Sequence, residues 1–224
     1  LYLRYKSPTY QVAVKMLVKD DNNKMRSGGN TQMLSNMQDL GFISNSNGID
    51  NEIEIIKSHI LAQEAVKDLK LYVEYKQEGR FKDHLIYKSQ PVNVDLDPQS
   101  LDKMDKDMLP ITLTLKQEGR TIQVEGTAYA LRKGMTKPEK APFKTSVSLL
   151  PATIKTAAGT LTITRNYSPE TTDFLKQKAM EVTILPPSAI AARYIGSMSV
   201  EPTSKTTSIA LITVLDLNRE RAED

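Results

Sequence analysis

The sequence predicts an α+β fold. A small mixed α/β base sheet is expected from strand–helix–strand segments at the two ends of the chain, with an antiparallel β-rich region inserted between them. Three observations predict it. An apolar stripe of period two opens the chain at Tyr10, Val12, Val14, Met16 and Val18. Period two returns in a series of short segments between Leu71 and Tyr167, punctuated by Gly, Pro and Asp. The last third then reads strand, helix, strand through AMEVTIL, PPSAIAARYIGSM and SIALITVLDL. The boundaries that follow are 1–110 with 168–224 for a discontinuous α/β base, 111–167 for the β-rich insert, and 218–224 for the start of a helix.

Taken in order, TYQVAVKMLVKD sets Gln11, Lys15 and Lys19 opposite the apolar stripe, the pattern of a half-buried strand. The stretch from Asn22 to Asn47 is rich in Asn, Ser and Gly and reads as a long loop with a short helix near Met33–Leu40. DNEIEIIKSHILAQEAVKDLKL reads as one helix capped by Asn51, with Glu54 three residues on. Two stripes, Ile55, Ala62, Val66, Leu69 and Ile53, Ile56, Ile60, predict packing on two sides, with His59 partly buried in the core.

The segments LYVEY, HLIYKSQPVNVDL, ITLTLKQ, RTIQVEGTAYAL, TSVSLLPATIKT and TLTITRN are enriched in β-branched and aromatic residues, as strands are. The pentad KQEGR occurs at Lys76–Arg80 and again at Lys116–Arg120 and reads as a recurring hairpin turn. In the last strand Ile209, Leu211, Leu215 and Leu217 face one way and Ala210, Ile212 and Val214 the other, so a central strand buried on both faces is expected. With strands from both ends in one sheet, the termini are expected to lie close together. Asn218 is placed to cap a helix that runs only to Asp224, and LYLRYKSPTYQ opens without an initiator Met, so the 224 residues are expected to be a piece of a larger protein.

Composition narrows the function classes. The chain is 39% hydrophobic and 25% charged, as an ordinary globular domain is, and no apolar run approaches the ~20 residues of a membrane span. The 30 basic and 27 acidic residues leave a net charge of +3 and alternate along the chain, which argues against a nucleic-acid footprint. With no cysteine there is no disulfide, thiol nucleophile or thiolate metal site, and two histidines, His59 and His84, leave little for an imidazole-bound metal. No cofactor or metal is expected. Phosphate-loop, nucleophile-elbow and HExxH motifs are absent from the sequence. Asp95 with Asp97, and Asp102, Asp105 and Asp107, are the carboxylates close enough in sequence for glycosidic acid–base work, but they sit in polar segments where solvated carboxylates are the rule. Asn166-Tyr167-Ser168 matches a glycosylation acceptor, a pattern too common to carry weight. No catalytic residue is therefore assigned, and an enzyme is not expected.

Four segments carry a resemblance: LRYKSPTYQVAVKMLVKDD, NEIEIIKSHILAQEAVKDLKL, GRFKDHLIYKSQPVNV and PPSAIAARYIGSMSVEPTSKTTSIALITVLDLNRERAED. In order and spacing they resemble the periplasmic region of the chain-length determinant family, the polysaccharide co-polymerases, including those fused to bacterial tyrosine autokinases. The resemblance implies the periplasmic, non-catalytic part of an inner-membrane protein. Membrane helices would flank this region, and a long helix would begin at Asn218. Arg219 stands where the family often has a proline. It further implies self-association of the full-length protein, partnership with the polysaccharide polymerase and export machinery, and control of the length of a capsular, O-antigen or exopolysaccharide chain. Two other classes stay open on the residues alone: a free-standing β-rich module that binds carbohydrate or protein, and a hydrolase of the same glycan.

Overall fold

The computed structural model describes residues 8–18, 46–77, 79, 83–130, 137–167, 179–204 and 208–224. The loop expected over Asn22–Asn47 lies outside them except for Ser46 and Asn47, which open a helix. The described residues form strand β1 (Tyr10–Leu17), helices α1 (Ser46–Ile56) and α2 (His59–Asp68), strands β2 (Val73–Gln77), β3 (His84–Ile86) and β4 (Val92–Leu96), and helix α3 (Pro98–Asp107). Strands β5 (Ile111–Glu118), β6 (Thr121–Ala130), β7 (Glu139–Val147), β8 (Ala152–Thr156), β9 (Gly159–Arg165) and β10 (Met180–Ile184) follow. Helix α4 (Pro187–Ser197), strands β11 (Ser199–Pro202) and β12 (Ile209–Asp216) and the short helix α5 (Arg219–Glu223) complete the order. The architecture is a mixture of α and β in which every described strand pairing is antiparallel.

Three sheets result, with orders β1-β12-β11, β3-β2-β10-β5-β6-β7 and β4-β9-β8. The first joins the two ends of the chain, since Tyr10 pairs with Asp216 and Leu17 with Ile209. Ladders also cross both limits of the expected insert. Ile111–Leu115 pairs with Met180–Ile184, and Val92–Leu96 pairs with Leu161–Arg165. Residues 111–167 thus share sheets with the segments before and after them, because β5 and β9 are interior strands whose backbone groups pair along both edges. One large core fills the space between: Ile111, Leu115, Leu161, Ile163, Met180, Val182 and Ile184 are fully buried.

Two expectations are corrected. The single helix over 51–71 is two helices, because Ser58 adopts an extended backbone and its hydroxyl accepts from the Leu61 N–H as an N-cap. The break changes the phase of the stripes. Ile53 and Val66 are buried, but Ile55 and Ile60 are exposed, and so is His59 in the first turn of α2. Asn51, expected to cap, lies within α1. The second correction concerns β12, which is central in its sheet but covered on one face only. Ala210 and Ile212 pack with Val18, Val200, Ile49 and Ile53, whereas Leu215 on the other face is exposed. Helix α1 packs on the first face, and α4 reaches the end of the same face through the bond from the Tyr194 hydroxyl to Asp216.

The second KQEGR forms the predicted hairpin. Gly119 takes a left-handed φ of +61°, and the turn closes with Glu118 paired to Thr121. The first lies partly outside the described residues.

Candidate functional site

A cleft of about 1090 Å³ opens between β2 and β3 on one side and the end of β12 with α4 and α5 on the other. Its construction starts at α4. Pro186 and Pro187 enter this helix without a side-chain cap of their own. Asp105 of α3 supplies one instead, its Oδ1 accepting from the Ser188 N–H at 2.7 Å while its Oδ2 accepts from Gln63 at 2.6 Å. So anchored, α4 carries Arg193 and Tyr194 to the cleft wall.

Opposite them Glu74 lies in β2 between the buried Val73 and Tyr75. Its Oε1 accepts from Arg193 Nη2 at 2.8 Å and from Arg221 Nη1 at 3.3 Å, and Lys76 Nζ lies 3.8 Å from its Oε2. Arg221 is the centre of the cluster. Asn218 caps α5 by accepting from the Arg221 N–H at 3.1 Å, the role its sequence position predicts, and this turn sends the guanidinium inward. The Arg221 side chain is only 2% exposed. Its Nη2 donates to the Leu71 carbonyl at 2.8 Å, and its Nε lies 3.6 Å from Asp216 Oδ2, an ion pair too long for a hydrogen bond. Asp216 in turn accepts from the Tyr194 hydroxyl. A second tie holds the end of α5, where Asp224 accepts from Tyr87 at 2.6 Å and from Lys88 at 2.8 Å.

The electrostatics follow from burial and charge. Burial works to raise the Glu74 pKa, but Arg193, Arg221 and Lys76 outweigh it and hold the carboxyl below its ordinary value. Burial raises the Tyr194 hydroxyl well above the usual phenol range, Arg221 opposes that, and the bond to Asp216 adds to it. Tyr87 is raised the same way, by burial and then by Asp224. Glu74 is accordingly ionised and both tyrosines protonated at neutral pH.

No protein-family model and no curated sequence matches this chain.

The carboxylates singled out by sequence do not converge on the cleft, and four of the five have separate partners. Asp95 pairs with Lys70 at 2.6 Å and Asp102 with Lys67 at 2.9 Å. Asp97 caps α3 through the Ser100 N–H at 3.0 Å and accepts from the Thr160 N–H at 2.8 Å, and these bonds, Thr160 foremost, hold its pKa below the ordinary value. Asp105 anchors α4 as described, and Asp107 lies at the far end of α3. The Asn166 side chain donates to the carbonyls of Lys88 and Gln90. His59 Nε2 is 3.2 Å from the Ser188 carbonyl, and His84 lines the cleft. Among the described residues no three His, Cys, Asp or Glu side chains are grouped to hold a metal, and no helix is long and apolar enough to cross a membrane.

Sequence reasoning passed over Glu74, Arg193, Tyr194, Asp216 and Arg221. Two of them left a signal: Glu74 and Asp216 are charges inside strands whose neighbours on both sides are apolar, in LYVEY and ALITVLDL. A charge there needs a buried partner.

Proposed function

We propose that this chain is a non-catalytic scaffold domain, the periplasmic base of a membrane-anchored polysaccharide co-polymerase that governs the chain length and export of a surface polysaccharide. The observation that carries the reading is the mounting of α5. A five-residue helix is fixed to the six-stranded sheet by one buried arginine, to β12 by Asp216 and to the segment after β3 by Asp224. So much fixation exceeds what one helical turn needs for its own stability, and it suits a rigid mount for the long helix that the resemblance places at Asn218. The pairing of β1 with β12 supports the same layout, since it brings the entry and exit of the chain to one sheet. The partners implied are other copies of the full-length protein, the polymerase and the export machinery, with membrane attachment through flanking segments.

The open cleft favours a second reading, a module that binds carbohydrate or protein through Tyr10, His84 and Arg193 at its rim. One experiment separates the two. In cells carrying the full-length protein, Arg221→Ala at matched abundance is expected to broaden the polysaccharide length distribution without changing its linkages. An unchanged distribution would remove the scaffold reading and leave the module.

A further inference from the structure

The outer edge of β1 is built to pair with a second β1. The hydrogen-bond parity is set by the Val18 N–H, which donates to the Ser208 carbonyl at 2.7 Å. In the antiparallel register of β1 and β12, the even-numbered residues of β1 therefore turn their backbone groups toward β12. Gln11, Ala13, Lys15 and Leu17 turn theirs outward. Among the described residues no strand pairs with this row, and such a row is a template for another strand, which folded proteins blunt with prolines, charges, short strands or a cover.

The other edges of the three sheets are blunted. On β11, Thr203 N–H donates to the Ile209 carbonyl, so in the β11·β12 register Val200 and Pro202 face outward, and Pro202 has no N–H to offer. Strand β7 contains Pro142, which has no N–H, and carries Glu139, Lys140 and Lys144. Strand β3 has three residues, and β8 has five and follows Pro151. The outward N–H of Val94 on β4 donates to the Tyr75 hydroxyl at 2.8 Å. Strand β1 spans eight residues with no proline and one charge, Lys15. Three of its side chains, Tyr10 at 40%, Val14 at 55% and Met16 at 37%, are exposed on the face of the sheet that α1 packs against.

We propose that β1 pairs antiparallel with β1 of a second copy of this chain about a two-fold axis at Val14. Parity allows only registers that match odd residues with odd ones. Centring the axis on Val14 uses all four outward residues, Gln11 opposite Leu17 and Ala13 opposite Lys15, and then the same pairs by symmetry. Centring it on Ala13 leaves Leu17 without a strand partner, and centring it on Lys15 sets the two ammonium groups face to face. In the favoured register each Lys15 lies opposite a small neutral Ala13. Val14 meets its own copy, and Val12 meets Met16, which covers Val14 and Met16 with cross-strand contacts. The result is a continuous six-stranded sheet, β11-β12-β1-β1-β12-β11. The pairing rests on the strand edge alone and stands apart from the scaffold reading.

One strand edge is a small interface, well under the ~1,000 Å² of a stable complex, so self-association is expected at protein concentrations of about 0.1–1 mM. The chain has no cysteine, so Val14→Cys introduces a single thiol. Oxidised with diamide, it is expected to form a disulfide dimer. Ala13→Cys is expected to remain largely uncrosslinked, because two residues at 13 would lie two rows apart, beyond the ~7 Å that a disulfide spans between Cα atoms. In sedimentation velocity of the 224-residue chain, Ala13→Pro removes only an outward N–H and is expected to abolish the dimer with an unchanged melting temperature. Ala13→Glu faces Lys15 of the other copy and is expected to tighten the dimer several-fold. Equal crosslinking at 13 and 14, or a weaker Ala13→Glu dimer, would overturn the register. A chain that stays monomeric to about 1 mM would overturn the pairing. So would a monomer whose Gln11, Ala13, Lys15 and Leu17 amides resist hydrogen exchange, since that edge would then be covered by its own chain.

Discussion

Removing the Glu74 carboxylate is the most direct test of the buried cluster. In Glu74→Ala, Arg221 keeps the Leu71 carbonyl at 2.8 Å and Asp216 at 3.6 Å, but loses the carboxylate that its Nη1 meets at 3.3 Å. With 2% of its side chain exposed, the guanidinium cannot turn to water in place. Breaking a buried ion pair from one side costs about 3–5 kcal/mol, and because Asp216 still supplies a counter-charge the lower end, about 3 kcal/mol, is expected. Arg193 adds little, since half of its side chain already meets solvent and exposed pairs contribute about 0–1 kcal/mol. The variant should stay folded within the usual 5–15 kcal/mol of domain stability. Its melting temperature should fall by about 6–12 °C, at 2–4 °C per kcal/mol for a chain of this size, and its urea midpoint should drop with an unchanged slope. The triple variant Glu74→Leu, Arg221→Met and Asp216→Asn removes all three buried charges and should recover much of the loss. A Glu74→Ala loss under about 1 kcal/mol, or a triple variant as unstable as the sum of the singles, would refute the reasoning.

The remaining predictions probe neighbouring features. Because the folded pKa of Glu74 lies below its unfolded value of about 4.3, its contribution is complete above that value and is lost as pH falls through the folded pKa. Urea midpoints of wild type and Glu74→Gln should therefore differ at pH 7 and converge as the pH falls through the folded pKa, and parallel curves would contradict the depressed pKa. Gly126→Ala places a Cβ 2.5 Å from Phe143 and 2.6 Å from the Thr112 carbonyl, so a loss of about 1–3 kcal/mol is expected in thermal unfolding. Asp97→Ala removes a cap and the bond to Thr160, with an expected cost of about 1–2 kcal/mol and no glycosidase turnover in either protein; turnover abolished by the substitution would make Asp97 catalytic. Ile212→Ser should destabilise more than Leu211→Ser, since only the first points to the face packed by α1, and equal losses would mean that both faces of β12 are covered.

Much of the element order was legible in local pattern. Strands at Tyr10–Leu17, Met180–Ile184 and Ile209–Asp216, the helix entered through Pro187, the hairpin at Gly119 and the cap at Asn218 all follow from periodicity and from the chemistry of single residues. These are short-range properties, written into side-chain spacing, proline φ and the hydrogen-bonding reach of a capping oxygen. The break at Ser58 was legible in principle, since a serine can cap as well as continue a helix. Two runs of isoleucine masked it by fitting one long helix.

What only the tertiary structure decided is which edges and faces meet. Nothing local in ITLTLKQ distinguishes a hairpin in a separate unit from the strand that lies against Met180–Ile184, because β propensity is the same in both and the partner lies some seventy residues away. Likewise SIALITVLDL carries apolar residues on two faces, but whether both are buried depends on where helices reach that sheet, and among the described residues α1, α4 and α5 contact β12, α1 on the face of Ala210 and Ile212. The buried cluster is the extreme case. Arg221 looks like any surface arginine in RERAED, and it becomes the hub only when Glu74, 147 residues earlier in the chain, loses its water to the same cleft wall. Desolvation, the physical reason these charges must find one another, is a property of the packed molecule and has no counterpart in sequence spacing.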